Sequence, residues 1–444
     1  MILRINWKFW VISVIGYYCK TQFLCNADKH SIERYKVVNR NLALLLSGQL
    51  VSQIGDKFHM LAVAFLVLKT TGSPAKMGIV LFCSIFPGMF LGFISGALLD
   101  RHSRKTAIIA ADAARGMLVA AVGLLYYLDA LSFPVLLGAQ ILISVCTAFF
   151  DPAIPAIIPQ IVRRDQLPRA NSQTQFVSGF AAIIGPALGG ITVAWAGYMP
   201  VFFANALSYL FSAGFECFIR LPALKKSAFG RTRVVDDIIE GCRYVYQSKS
   251  LLIILAMVGV IHFFVGSISA VVPVLAMDLN GSGAENIGFI QTCFGLGSVA
   301  AALFISIRNL DKRQALILFG SIFLNGMTLL SIGGMHMSGI NLLMPYLVIF
   351  PVVGGLIVFA GTSFRSLIQK EVQDEMMGRV FGLVSSVGNI SIPLAILVFG
   401  ALMECLPLNI ILTASGFILL PTSVVAYNKY RATLPGLQQI ESMI

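Results

Sequence analysis

The sequence predicts an all-α membrane protein of twelve transmembrane helices in two pseudo-symmetric six-helix halves, and three observations carry that prediction. First, 57% of the 444 residues are hydrophobic and only 12% are charged. A soluble domain cannot bury so much apolar surface, because single cores stop growing at about 250–300 residues. Second, apolar runs of about 20 residues recur along nearly the whole chain, each long enough to cross a hydrocarbon core. Third, the one long hydrophilic interruption, residues 221–250, falls midway and divides these runs into two sets of nearly equal length.

Taken in order, residues 1–40 are an N-terminal extension outside the core. Arg4 and Lys8 lead into an apolar run from Phe9 to Tyr18, then a polar stretch follows to Arg40. The pattern is that of a signal peptide, but cleavage and export would reverse the first core helix. The expected spans of the N-terminal half, 41–219, are 41–68, 75–99, 106–128, 133–153, 171–195 and 198–219. A basic cytoplasmic linker covers 220–250. The C-terminal half, 251–430, holds spans at 251–276, 284–306, 314–334, 340–362, 376–404 and 408–428, and a cytoplasmic tail occupies 431–444.

In the first span Gln49, Ser52, Gln53 and Asp56 stand at i, i+3, i+4 and i+7, so they share one helical face. Lipid rejects such a face, which must turn to the bundle interior or to a water-filled cavity. The fourth span repeats the pattern with Gln140, Ser144, Thr147 and Asp151, and the seventh with His262, Gly266 and Ser269. These residues and His59 are the candidate lining of a central pathway. Asp56 is the first candidate for a proton carrier, since a carboxyl on such a face can take a proton from one side and release it to the other. Its alternative role is a static partner for Lys57 or His59. The second span carries Phe82, Phe86, Phe90 and Phe93 on one face, a spacing that serves packing first and a lipophilic cavity second.

Between the second and third spans, residues 96–105 place four charges in ten residues: Asp100, Arg101, Arg104 and Lys105. A short, basic, tight loop of this kind stays in the cytoplasm. In the third span Asp112 and Arg115 lie at i, i+3 and can neutralise each other; an Arg about 14 Å into a helix needs such a partner. In the fifth span Gly185-Pro186 removes a backbone hydrogen bond, while Gly189 and Gly190 permit close approach of a helix from the other half. Glu216 precedes Arg220 by four residues, which predicts a boundary salt bridge. Residues 234–247, mixing acidic and aliphatic side chains, predict a helix along the inner membrane surface.

The net charge of +12 follows this topology. Positive side chains crowd the loops that alternate with Lys69 and Lys76, the few on the other side. That is the positive-inside pattern, with both ends of the core cytoplasmic, and it leaves no surplus to argue for nucleic acid. The eight Cys residues are scattered, with no spacing for a zinc site or a disulfide framework. No glycine-rich loop ending in Gly-Lys-Ser/Thr is present, so uphill transport would draw on an ion gradient rather than on ATP. No metal site, cofactor or nucleophile–base pair is expected, and the chain is not expected to be an enzyme.

Residues 96–108 resemble the signature of the major facilitator superfamily, G-x-L-x-D-R-x-G-R-K, with Ser103 in place of its second glycine. The resemblance implies that Gly96, Asp100, Arg101, Arg104 and Lys105 form a gate with the start of the eleventh helix, near Arg379 in Gly378-Arg379-Val380. That gate would latch the two halves in the outward-open state. Residues 179–190, with Gly179 and the run Gly185-Pro186-Ala187-Leu188-Gly189-Gly190, look like the antiporter motif of the fifth helix, the conformational seam. Ile54-Gly55-Asp56, Asp151-Pro152-Ala153 and Arg169-Ala170-Asn171 are similar to the macrolide-efflux-type branch of drug:proton antiporters. The helix-4 arginine of many such antiporters is missing, and Arg115 is the candidate substitute.

The resemblance implies a monomeric secondary transporter of the cell membrane that exports lipophilic, drug-like small molecules in exchange for protons. A siderophore exporter or lysophospholipid flippase on the same fold is the nearest alternative. A transport-inactive membrane sensor or scaffold is the more distant one.

Overall fold

The structure, a computed structural model, describes residues 29–99, 103–163, 166–221, 234–307, 313–373 and 376–433. Asp100, Arg101 and most of the N-terminal extension therefore lie outside the described residues. Fourteen helices occur among those described: α1 Lys29–Thr71, α2 Pro74–Leu99, α3 Arg104–Tyr127, α4 Phe133–Phe150, α5 Ala153–Ile161, α6 Leu167–Ala196, α7 Tyr198–Cys217, α8 Val234–Gln247, α9 Lys249–Asp278, α10 Gly283–Ile307, α11 Gln314–Met337, α12 Leu343–Glu371, α13 Met377–Cys405 and α14 Leu408–Ala432.

Eleven described helical stretches are long and apolar enough to cross a membrane, α4 and α5 together making one of them. The twelfth expected span is α7, whose apolar character is diluted by Asn205, Ser208, Ser212 and Glu216, all of them buried. Local chemistry sets several boundaries. Ser103 caps α3, its hydroxyl accepting from the Thr106 amide. The fourth expected span breaks at Asp151-Pro152 and resumes as α5, because proline has no N–H to donate and its ring crowds the preceding turn. Pro186, by contrast, sits inside α6 without ending it.

Helix α8 matches the range expected for the surface helix and docks on the start of α13. A Cβ at Gly241 would lie 3.2 Å from Arg379 Cβ, and Glu240 pairs with Arg379 at 3.2 Å.

Packing sorts the long helices into two groups. In the first, α1 lies against α6 and α7, α2 against α4, and α3 against α4 and α7; in the second, α9 lies against α13, α10 against α12, and α11 against α12 and α14. The groups meet along two seams, α2 with α13 and α6 with α10.

The buried apolar residues show where the molecule is closed. At the end away from the basic loops they form one cluster that unites Phe65, Met77 and Val193 of the first group with Leu275, Ile287 and Phe399 of the second. At the basic end they form two separate clusters. One is built around Ile108, Phe150, Ile157 and Ile219, the other around Ile254, Phe319, Phe364 and Val380. Among the described residues the bundle is thus sealed at one end and split at the other.

Candidate functional site

The seams are tightest where side chains vanish. A Cβ on Gly190 of α6 would fall 2.6 Å from the Ala284 carbonyl and 2.8 Å from Gly288 Cα of α10. A Cβ on Gly78 of α2 would fall 2.9 Å from the Ile396 carbonyl and 3.1 Å from Gly400 Cα of α13. At the closed end Glu404 of α13 accepts from the Ser73 hydroxyl at 2.9 Å and from the Ala75 amide at 3.2 Å. A carboxylate from one group thereby caps the N-terminus of a helix of the other, where the helix dipole favours negative charge. Trp195 Nε1 donates to Glu285 at 3.3 Å across the second seam.

Towards the basic end the seams part. Ile183 of α6 still faces Gly295 of α10. Phe180 and Phe176 continue that same face of α6, stack on each other at 6.0 Å and are exposed. Gly179 has nothing within contact distance of its would-be Cβ, and neither do Gly378 and Gly382.

Gly190 is therefore the seam residue of the expected set. Gly185 and Gly189 instead accommodate α1, against Lys57 at 2.6 Å and Phe58 at 3.1 Å, which corrects the expectation that Gly189 meets a helix of the other half.

The acidic residues converge inside the first group. Arg115 is 2% exposed; its Nη2 donates to Asp112, which is fully buried, and its Nη1 lies 3.9 Å from Asp56, whose side chain is 37% exposed. The Tyr209 hydroxyl of α7 donates to Asp56. The guanidinium lies 4.3 Å from the centroid of the Phe150 ring and 4.5 Å from that of Tyr209, so two aromatic faces replace the water it has left. Asp56 is thus held by Tyr209 and Arg115 rather than by His59, which meets Gln140 at 3.0 Å instead.

The predicted bridge between Glu216 and Arg220 is absent. Glu216 is fully buried, with the Ser212 hydroxyl beside its carboxyl, while Arg220 is exposed and its amide donates to Asn41 at 3.2 Å.

Electrostatically, Arg115 and Lys57 face Asp56, Asp112 and Asp151, with Glu216 beside Asp112. Among the buried groups Asp112 and Glu216 stand against Arg115 alone, a surplus of one negative charge if both acids are ionised. Such a surplus is costly in a low-dielectric interior, and uptake of a proton relieves it.

The other predicted lining residues divide. Gln53, Thr147, Asp151, His262 and Ser269 keep some exposure. Gln49, Ser52, His59, Gln140 and Ser144 are buried in helix contacts rather than on an open wall. Ser84 donates to Gln140 at 3.1 Å, and the Gly88 amide donates to Ser144 at 2.8 Å. The cause is that α4 packs its polar face onto α2, while α1 turns its own onto α7, where Gly48 comes against Ser212 at 3.0 Å. The spacing of Gly48, Ser52 and Gly55 at i, i+4 and i+7 was the available signal for that close contact. Phe82, Phe86 and Phe90 stack along α2 at 4.7 and 6.2 Å.

Of the gate, Arg104 donates to the Ala156 carbonyl at 2.9 Å, Lys105 to the Cys217 carbonyl at 2.7 Å, and Arg379 is engaged by Glu240. Gly96 lies in the last turn of α2. Among the described residues no cluster of His, Cys, Asp and Glu is built to hold a metal.

Residues 37–443 match the family described as transmembrane secretion effector. Macrolide efflux protein A of Streptococcus pyogenes is 24% identical over 400 residues, 89% of this chain and 97% of that protein. The multidrug efflux pump Tap of Mycobacterium tuberculosis is 24% identical over 418 residues, 90% of this chain and 94% of that protein. Among solved structures, a bacterial homologue of the iron transporter ferroportin, in an inward-facing state, superposes with a TM-score of 0.65 at 13% identity, covering 89% of this chain and 98% of that one.

Proposed function

The chain belongs to the transmembrane secretion effector family of the major facilitator superfamily, and from that premise we propose that it exports lipophilic or amphipathic drug-like compounds, macrolides among them, in exchange for protons. The observation that carries the reading is the single guanidinium of Arg115 shared between Asp56, which is partly exposed, and Asp112, which is not. A proton arriving on Asp56 cancels one claim on Arg115 and strengthens the other. The cluster therefore has two arrangements that a proton can bias.

The relatives named as macrolide and multidrug efflux proteins support the cargo class. Phe176 and Phe180 offer it an apolar wall. With the basic end in the cytoplasm, as the charge distribution argues, the described conformation is inward-open. Cargo would then enter from the cell interior or inner leaflet, between the parted seams. The ends of the core are cytoplasmic in this reading, the driving force is the proton gradient, and a monomer suffices.

The test uses inside-out vesicles with an acidified interior, challenged with erythromycin, ethidium and a siderophore. Alkalinisation on adding a macrolide or dye, abolished by Asp56→Asn, is the expected result. A response to the siderophore alone would move the cargo to that class. No response to any compound, with cellular resistance unchanged in the variant, would end the drug:proton reading.

A further inference from the structure

Glu216 has no part in the exchange described so far, yet it occupies an expensive position. It lies four residues after Ser212 on α7 and is fully buried, with the Ser212 hydroxyl beside its carboxyl but outside good hydrogen-bond geometry. Its charged neighbours are Asp112 and Arg115 of α3. Beyond them Arg115 reaches Asp56 of α1 and Asp151 at the end of α4, and Lys57 of α1 stands beside both of these acids. Lys105, at the start of α3, is occupied by the carbonyl of Cys217. An intramembrane acid that forms no salt bridge is costly to bury, and such residues mark proton routes.

Depth orders two of these acids. Counted from the basic end at 1.5 Å per residue, Asp112 lies about 12 Å along α3 and Glu216 within about 2 Å of the end of its helix, while Asp56 shares the Arg115 guanidinium with Asp112. Between Asp112 and Glu216 stands Ser212, a neighbour of both. Its hydroxyl is buried within reach of both carboxyls, with no partner of good hydrogen-bond geometry, and Oδ2 of Asp112 has none either. A hydroxyl can donate to one carboxyl while accepting from another.

We propose that Glu216 is the inner station of a proton relay running from Asp56 through Asp112 and Ser212 to the basic end, inside the first helix group. The proposal rests on the proton-exchange reading above. A proton on Asp56 passes to Asp112, whose carboxylate shares the same guanidinium. Ser212 gives its own proton to the Glu216 carboxylate as it takes the one from Asp112, and Glu216 releases a proton to water. Arg115 keeps its protons throughout and pairs with whichever acid is ionised. One proton enters at Asp56 and one leaves at Glu216.

The first test needs no cargo. In pH-induced infrared difference spectra of the full-length protein in liposomes, Glu216→Gln is expected to remove one component of the protonated-carboxyl band, and Ser212→Ala to shift it. A Glu216→Gln spectrum identical to wild type overturns the relay.

The second test compares uphill efflux of erythromycin with its counterflow, which moves no net proton. Glu216→Gln is expected to lower the ratio of uphill efflux to counterflow about tenfold, with partial recovery in Glu216→Asp. An equal loss of both processes marks a structural role and also overturns the relay. If wild-type vesicles answer no compound, the exchange reading fails by itself, and the infrared comparison still decides whether Glu216 carries a proton.

Discussion

Arg115 shows how much a single buried side chain can hold. Its guanidinium is clasped by Asp112 from its own helix, approached by Asp56 from α1 and stacked between Phe150 and Tyr209. Truncating it leaves Asp112 buried and unpaired. Arg115→Ala is therefore expected to destabilise the protein by about 3–5 kcal/mol, read as a lower melting temperature in detergent. The double variant Arg115→Ala/Asp112→Ala should recover part of that loss; equal melting temperatures in the single and double variants would mean that the pair carries no stability. The pair itself was legible in the sequence, because residues at i and i+3 meet on any helix. Tyr209 and Glu216 were not. Tyr209 reaches Asp56 across 153 positions of sequence, and no local spacing reports such a contact. For Glu216 the local neighbour Arg220 offered itself, but the chain leaves its helix at Phe218, and the two side chains part there.

At the scale of elements, α6 and its glycines are the most instructive case. The spacing Gly185-Pro186-Ala187-Leu188-Gly189-Gly190 pointed to a tightly packed helix, and the helix is tightly packed. Sequence could not say which glycine faced which neighbour, because a turn of 100° per residue sends adjacent glycines to different helices. Gly190 meets α10 across the seam, and Gly189 meets α1. Gly190→Val is accordingly expected to force α6 from α10 at the closed end and to favour closure at the basic end. A cysteine introduced at Phe176 should then react more slowly with a water-soluble maleimide. An unchanged rate in Gly190→Val would show that the α6–α10 seam yields without moving the groups. Gly179→Ala, placed in open space, is the control.

For the whole molecule, helix positions and the two seams decide which conformation is observed. Each expected span has a described helix over most of its length, since each is an apolar run of bilayer length, while helix ends such as that of α12 at Glu371 run past the expected bounds. The conformational state was not legible, because under alternating access one sequence would serve both states, with the balance resting on a few contacts at either end. Glu404 is one of them: its carboxylate caps α2 from the far side of a seam. Glu404→Ala should raise the population closed at the basic end. Spin labels at Phe176 and Leu303, both exposed on facing helices, would report a new short distance, and an unaltered distribution would remove Glu404 from the set of latches.

The separation of the buried acids from the parted seams has a consequence for how such a chain can diverge. On the proton-exchange reading, the apolar wall of Phe176 and Phe180 on α6 is built from residues other than the charged Asp56, Asp112, Arg115 and Glu216. Substitutions on that wall can change which compounds fit while leaving every charged side chain and its partners in place. On that reading, a lineage facing a new toxic compound could alter its cargo in single steps and keep its energy coupling.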